Sequence, residues 1–314
     1  MNEALNPMRK MASRVPLAFI PAAIVLCVNI VLNPHILSLR GINNLALQIV
    51  PLALAVMAQT VVVLVRELDM SIGAVVCLTT VVVGTTTDSL HLLSLPLAMV
   101  VAGLFGLFSG LIVAYIRIPG IVVTLATSMI IGGLALVILP QPGGSVDNFV
   151  QNLVNGQPIV VPNSLLILLA VMLIWKYVKN AKLGNSIYAA GGNPFSAYAS
   201  GLSVEKAKIA AYVGSALLAS VAGIVVCGKT MTGDATIGNP YTLSSIAGTV
   251  LGGASFMGGV GTMKGAVAGA LILGVLVNIL FFLGLSSHYQ NIAEGIILLA
   301  AVIISVLTNR EGSD

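Results

Sequence analysis

Few side chains in this sequence have the types and spacing that chemistry needs. The most conspicuous set is Gly223-Ile224-Val225-Val226-Cys227-Gly228-Lys229-Thr230, which matches the pattern GxxxxGK[ST]. That pattern works as a loop between a strand and a helix, where backbone N–H groups cradle phosphate and the lysine reaches it. Here the residues close an apolar run, so the match reads as a coincidence. Metal or acid–base chemistry would want clustered His, Asp or Glu. His35, His91 and His288 stand far apart, in or near loops, which argues against a membrane-embedded enzyme. Cys27, Cys77 and Cys227 each lie in an apolar run without CxxC spacing, and read as buried structural thiols. Asp69 and Ser71 open an apolar run and read as caps for its free N–H groups, with gating as the alternative. Glu294 lies inside the last apolar run, where an interfacial or cavity-facing carboxylate is favoured over a proton relay.

The elements that must position these residues are dictated by composition. Hydrophobic residues make up 58% of the 314 and charged residues 8%. A soluble domain carries about 25% charge, so this chain could not cover a surface facing water. Ten apolar segments can be drawn, roughly at 16–32, 43–65, 70–87, 95–116, 120–139, 163–178, 209–227, 241–257, 265–284 and 290–308. A spanning helix needs about 20 apolar residues, and short or broken spans are tolerated where protein covers the backbone. Arg9, Lys10 and Arg14 precede the first segment as in a signal peptide, but no small-residue cleavage site follows, so it reads as a retained helix. Small-xxx-small spacings at Gly106/Gly110, Gly248/Gly252 and Gly265/Gly269 predict close helix contacts. The expected fold is all-α and polytopic, with about ten transmembrane helices in a single domain, 1–314.

Charge sets the orientation. With the N-terminus in the cytoplasm, only Arg40 and Lys229 of the 14 Lys and Arg fall outside. Positive charge resists translocation, so both termini are expected inside. The GK[ST] match then lies at the outer face, where ATP is absent. The basic pI of about 9.0 reads as loop charge rather than a nucleic-acid footprint, because aromatic-rich basic patches are missing. Residues 140–162 form an outside loop and 179–208 the main inside loop, which leaves no room for an extramembrane domain. If active transport is the job, energy or substrate capture must come from other chains.

The inside loop carries a local signature. Asn193 is a good N-cap, Pro194 suits the first helical position and Gly201 the left-handed position beyond the end. Phe195 and Tyr198, three apart, share a face. Ser203 can cap the next helix, with Glu205 near its positive end. Such a short helix fits docking in a partner's groove and fits lying at the membrane interface equally well.

Here the chain resembles a known family. Gly191-Gly192-Asn193 through Ser200-Gly201-Leu202-Ser203-Val204, with Lys208 and Tyr212, closely resembles the cytoplasmic coupling region of the ribose/xylose/galactose-type ABC importer permeases. Leu68-Asp69-Met70-Ser71-Ile72-Gly73 is similar to the family's IDLSVG. Ile118-Pro119 with Val123-Thr124-Leu125-Ala126-Thr127 is similar to its PxFIxTLGT. Ile246-Ala247 through Val250-Leu251-Gly252-Gly253-Ala254-Ser255, then Gly258-Gly259-Val260-Gly261, is similar to its IAAVVLGGTSLxGGxG. Gly269 to Gly274 with Asn278 follow in order. The likeness runs from about residue 40 to 308, and the ordered set is more specific than any one stretch. Arg66-Glu67 depart from the pattern, standing where the family usually has two glycines.

The resemblance implies a bacterial inner-membrane permease subunit for a ribose-like pentose or hexose, with no enzymatic reaction, metal or cofactor of its own. It implies two such subunits, identical or paralogous, two ATPase subunits that bind the ATP, and a periplasmic sugar-binding protein. Gly192, Asn193, Pro194, Phe195, Tyr198, Ala199, Ser200 and Gly201 would couple to the ATPase. Sugar hydroxyls want amide and hydroxyl partners, so Thr124 and Asn278 are candidate path residues, with interhelical hydrogen bonds as the alternative. Asp69, Ser71, Gly73, Gly252, Gly253, Gly258 and Gly259 would gate or support, the later glycines by allowing a break or close packing after the eighth segment. The competing reading is an ion-coupled secondary carrier of a small polar solute, for which midplane ionisable residues are sparse.

Overall fold

The computed structural model describes residues 6–156 and 161–286, and scattered positions from 289 to 303. Among residues 6–156 and 161–286, twelve α-helices follow in order: α1 Asn6–Leu32, α2 Leu39–Val63, α3 Ile72–Leu90, α4 Ser94–Leu111, α5 Gly120–Ile138, α6 Asn148–Asn155, α7 Asn163–Asn180, α8 Lys182–Gly192, α9 Pro194–Ala199, α10 Val204–Thr230, α11 Asn239–Leu251 and α12 Met263–Phe282. Among the described residues there is no strand, only an isolated bridge between Gly143 and Gly233. Among the described residues six stretches are long and apolar enough to cross a membrane: Leu39–Val63, Ile72–Ile116 (which holds both α3 and α4), Gly120–Ile138, Asn163–Asn180, Val204–Thr230 and Met263–Phe282. Ala18–Leu32 is apolar but shorter. Of the tenth expected segment, 290–308, only scattered positions are described, and Glu294 and the nearby His288 lie outside the described residues.

Apolar side chains are distributed for lipid rather than water. The apolar window of α2 is 94% buried, whereas those of α5 and α7 are 28% and 11% buried. So α2 is the centre, with α10 packed along it and across α3 and α4. The peripheral helices turn Val100, Leu104, Met129, Val137 and Ile174 outward. Exposed apolar side chains on that scale suit hydrocarbon surroundings.

The three small-residue spacings mark close contacts, and two of them face each other. A Cβ on Gly269 would strike the Gly248 carbonyl, and one on Gly265 the Gly252 carbonyl, so α11 and α12 meet backbone to backbone. Gly106 and Gly110 admit α10 at Tyr212 and Ile209 in the same way.

The eighth expected segment differs from its expectation. Its helix, α11, has 13 residues and stops at Leu251, about 20 Å of rise against a hydrocarbon core of about 30 Å. Gly252–Thr262 forms a non-helical loop in which Gly253, Gly258 and Gly259 take φ of 81°, 77° and 68°. Before α11, residues 231–238 run without helix and antiparallel to α3. Gly233 packs on Gly84, the Thr80 hydroxyl donates to the Asp234 carbonyl at 2.9 Å, and the Gly238 N–H donates to Cys77 Sγ at 3.1 Å. Side chains of α3 thereby pair backbone groups that a helix would have paired internally.

Candidate functional site

The loops expected on the inner side meet at one end of the bundle. There α9 has the expected local geometry. Asn193 Oδ1 accepts from the Ser196 N–H at 3.0 Å, Pro194 opens the helix, and Gly201 takes φ of 76°. Ser203 Oγ accepts from the Lys206 N–H at 3.2 Å, capping α10, and donates to Glu205 Oε2 at 3.1 Å. Phe195 is 82% exposed and Tyr198 71%, while Ala197 between them is buried. Ala199, Ser200, Gly192 and Asn193 are also exposed. A cleft of about 510 Å³ opens beside this face, between Phe195, Tyr198 and the charged Glu67, Arg117, Glu205 and Lys208.

The departure at Arg66-Glu67 has a structural reading that sequence reasoning missed. Arg66 sits at φ 64°, a left-handed backbone that glycine takes freely and other residues reach at a cost of about 1 kcal/mol. The left-handed backbone that a glycine would supply is therefore kept at position 66. The guanidinium of Arg66 donates from Nε to the Gly191 carbonyl at 2.6 Å and from Nη2 to the Gly192 carbonyl at 2.7 Å. These are last-turn carbonyls of α8, which have no helical N–H to accept. Glu67 Oε2 accepts from the Gly120 N–H at the start of α5 (3.0 Å), and its Oε1 pairs with Lys208 Nζ of α10. Nearby, the Gly259 N–H donates to the Leu64 carbonyl at 2.9 Å, and the Tyr188 hydroxyl to the Gly261 carbonyl at 3.0 Å.

Asp69 is 2% exposed. Its Oδ1 accepts from the Ser71 N–H (2.8 Å) and hydroxyl (2.6 Å), and its Oδ2 from the Ser215 hydroxyl of α10 (2.8 Å). Ser71 itself makes no side-chain capping bond. The expected cap is supplied from elsewhere, since Thr242 Oγ1 of α11 accepts the Gly73 N–H at 3.2 Å. Gly73 permits that approach, because a Cβ there would lie 2.6 Å from the Gly238 carbonyl. Thr124 is fully buried. Its hydroxyl accepts from the Met70 N–H at 2.9 Å and donates to the Gly120 carbonyl at 2.8 Å, fastening α5 to the α2–α3 turn.

Asn278 lies at the other end. It accepts from Asn29 Nδ2 at 3.1 Å, donates to Gln48 Oε1 at 3.0 Å, and borders a cavity of about 670 Å³. Asn33, Arg40, Asn44, Gln48 and Lys229 share that cavity, an array of amides and cations able to meet hydroxyl groups. Beyond it, the Phe149 N–H and then His91 hold the Asp147 carboxyl below its ordinary value, with His91 Nδ1 3.2 Å from Asp147 Oδ2. The residues of the GK[ST] match are helical to Thr230, so their N–H groups are spent within α10, and Lys229 borders the cavity of about 670 Å³. Cys77 and Cys227 are buried as expected. Cys27 is not, because it stands on an outward face of the peripheral α1. Among the described residues no group of His, Cys, Asp or Glu could hold a metal.

Comparison with known proteins decides the family. The model described as "Branched-chain amino acid transport system / permease component" matches residues 41–302. The chain belongs to this permease family. The ribose import permease protein RbsC of Haemophilus influenzae is 32% identical over 295 residues, 91% of each chain. The protein of that name in Escherichia coli K12 is 35% identical over 286 residues, 87% of this chain and 88% of the relative. The galactose/methyl galactoside import permease protein MglC of Escherichia coli K12 is 28% identical over 312 residues, 92% and 93% of the two. No solved structure matches the chain. The family membership and the apolar helices make this a multi-pass membrane protein.

Proposed function

We propose that the chain is the membrane-spanning subunit of a binding-protein-dependent, ATP-driven importer of a monosaccharide, a ribose-like pentose or hexose, in a bacterial inner membrane. Its relatives are named as ribose and galactose import permeases, which supports the sugar class. A second permease copy or paralogue completes the path, a periplasmic protein delivers the sugar, and separate ATPase subunits bind and hydrolyse ATP. Ten crossings and cytoplasmic termini are the topology that the charge asymmetry favours. Within it, 179–208 is the coupling loop of a single permease domain. The observation that carries the reading is α9, a capped two-turn helix whose Phe195 and Tyr198 stand almost fully exposed. Aromatic side chains exposed on a small-residue helix are suited to burial in a partner's groove. Asn278 and the outer cavity would line the path, with Thr124, Asp69, Ser71, Gly73 and the 252–259 glycines holding the helices beside it.

The test is co-purification. Ala199 is exposed, so Ala199→Asp leaves the permease's own fold intact. At a partner interface it buries an unpaired charge, costing several kcal/mol. The expected result is loss of ATPase pull-down and of sugar uptake at a normal membrane level. Gly201→Asp should act alike and adds backbone strain at φ 76°. Normal pull-down and uptake for both variants would remove α9 from the coupling role. An ion-coupled carrier would instead transport without any ATPase.

A further inference from the structure

Resting on the reading of α9 as the docking element, we propose that Arg66 and Glu67 form a two-armed strut that transmits movement of α9 into the membrane helices. Both flanks of α9 are anchored to this one dipeptide. Upstream, Arg66 holds the Gly191 and Gly192 carbonyls at 2.6 and 2.7 Å, immediately before Asn193 and Pro194. Downstream, Glu67 grips Lys208 in the first turns of α10 and, with its second oxygen, the first N–H of α5 at 3.0 Å. The neighbouring Leu64 carbonyl takes the Gly259 N–H at 2.9 Å, which brings in the loop between α11 and α12. A displacement of α9 therefore pulls on the α2–α3 turn, and through it on α5, α10 and α11.

Two features mark the strut as more than surface charge. The Glu67 and Lys208 side chains are 14% and 26% exposed, so the pair is largely sheltered from the solvent that weakens open ion pairs. Arg66 also occupies φ 64°, where glycine would sit without strain. The strain is accepted for a side chain with a forked set of donors, which lysine cannot reproduce. Arg66 and Glu67 are thus positioning residues, acting on the path only through the helices they join.

The experiment uses the complete importer, with its ATPase and binding protein, in proteoliposomes. Arg66→Gly keeps the backbone and removes the arm, Glu67→Gln weakens the other arm, and Glu67→Lys with Lys208→Glu reverses the pair. For Arg66→Gly, uptake is expected to fall about tenfold while ATP hydrolysis falls less than about twofold, within the usual range of a coupling energy. ATP consumed per sugar imported then rises at least about fivefold, and amide exchange over 191–203 quickens about tenfold. Glu67→Gln should move the ratio in the same direction, and the reversed pair should restore at least about half of the uptake lost with Glu67→Lys alone. An unchanged ratio, whether uptake is normal or falls in step with hydrolysis, overturns the proposal. Unchanged exchange over 191–203 overturns it too. Retained ATPase pull-down in Ala199→Asp would instead count against α9 docking, and the exchange measurement reads the strut independently of that outcome.

Discussion

Gly191 and Gly192 stand side by side and differ completely in what surrounds them. A Cβ on Gly191 would run into the Leu64 carbonyl and lie 2.6 Å from the Gly259 N, both backbone atoms that cannot swing away. A Cβ on Gly192 would meet nothing within 4 Å. Gly191→Ala is therefore expected to cost about 3 kcal/mol or more, as overpacking does, and to lower the thermal midpoint and membrane level sharply. Gly192→Ala should behave like the parent in the same assays. Thr124→Val makes a subtler change, because size is kept while the Met70 N–H loses its acceptor. An unsatisfied buried donor costs about 1–3 kcal/mol, readable as a fall of several degrees in the melting of detergent-solubilised protein. Equal melting of Thr124→Val and the parent would show that the α5 fastening contributes nothing. The sequence could present Thr124 only as a polar residue in an apolar run. Its partner is 54 residues away, and no local pattern announces a contact at that separation.

Elements fixed by local rules were legible, and elements fixed by distant contacts were not. The bounds of α9 follow from Asn193, Pro194 and Gly201 because capping acts within one turn. The paired glycines of α11 and α12 were visible as two spacings, though nothing in either says that they face each other. The α2–α3 turn was misread in part. Ser71 looks like a cap, but the bond to the α3 N-terminus comes from Thr242, on a helix met only after the chain has folded back. The GK[ST] match was rejected on context, and its helical backbone gives the physical ground. Lys229→Ala should accordingly leave ATP hydrolysis by the assembled importer within about twofold of the parent, since removal of a group outside the nucleotide site carries no transition-state loss. A hundredfold drop with assembly intact would reverse that reading.

For the molecule as a whole, apolar composition with sparse charge was enough to announce a membrane protein, because no soluble surface could be made from it. The number of crossings was less legible, since hydropathy measures length and greasiness but not whether backbone is covered. Orientation can be read directly. A cysteine introduced beside Arg310 should react with impermeant maleimide only after the membrane is opened, and one at Gln141 should react in intact spheroplasts. Labelling of the Arg310 site from outside alone would invert the topology. The uncoiled stretch 231–238 with the short α11 carries a further consequence, for biogenesis. Neither piece is a competent insertion signal: one pairs its peptide groups with other parts of the chain and the other is too short to reach across. The lining they need comes from Thr80, Cys77 and Gly73, translated 154 to 169 residues earlier. The ribosome therefore delivers α3 long before the segment that leans on it, and this part of the chain settles against helices already made, not as a span in its own right.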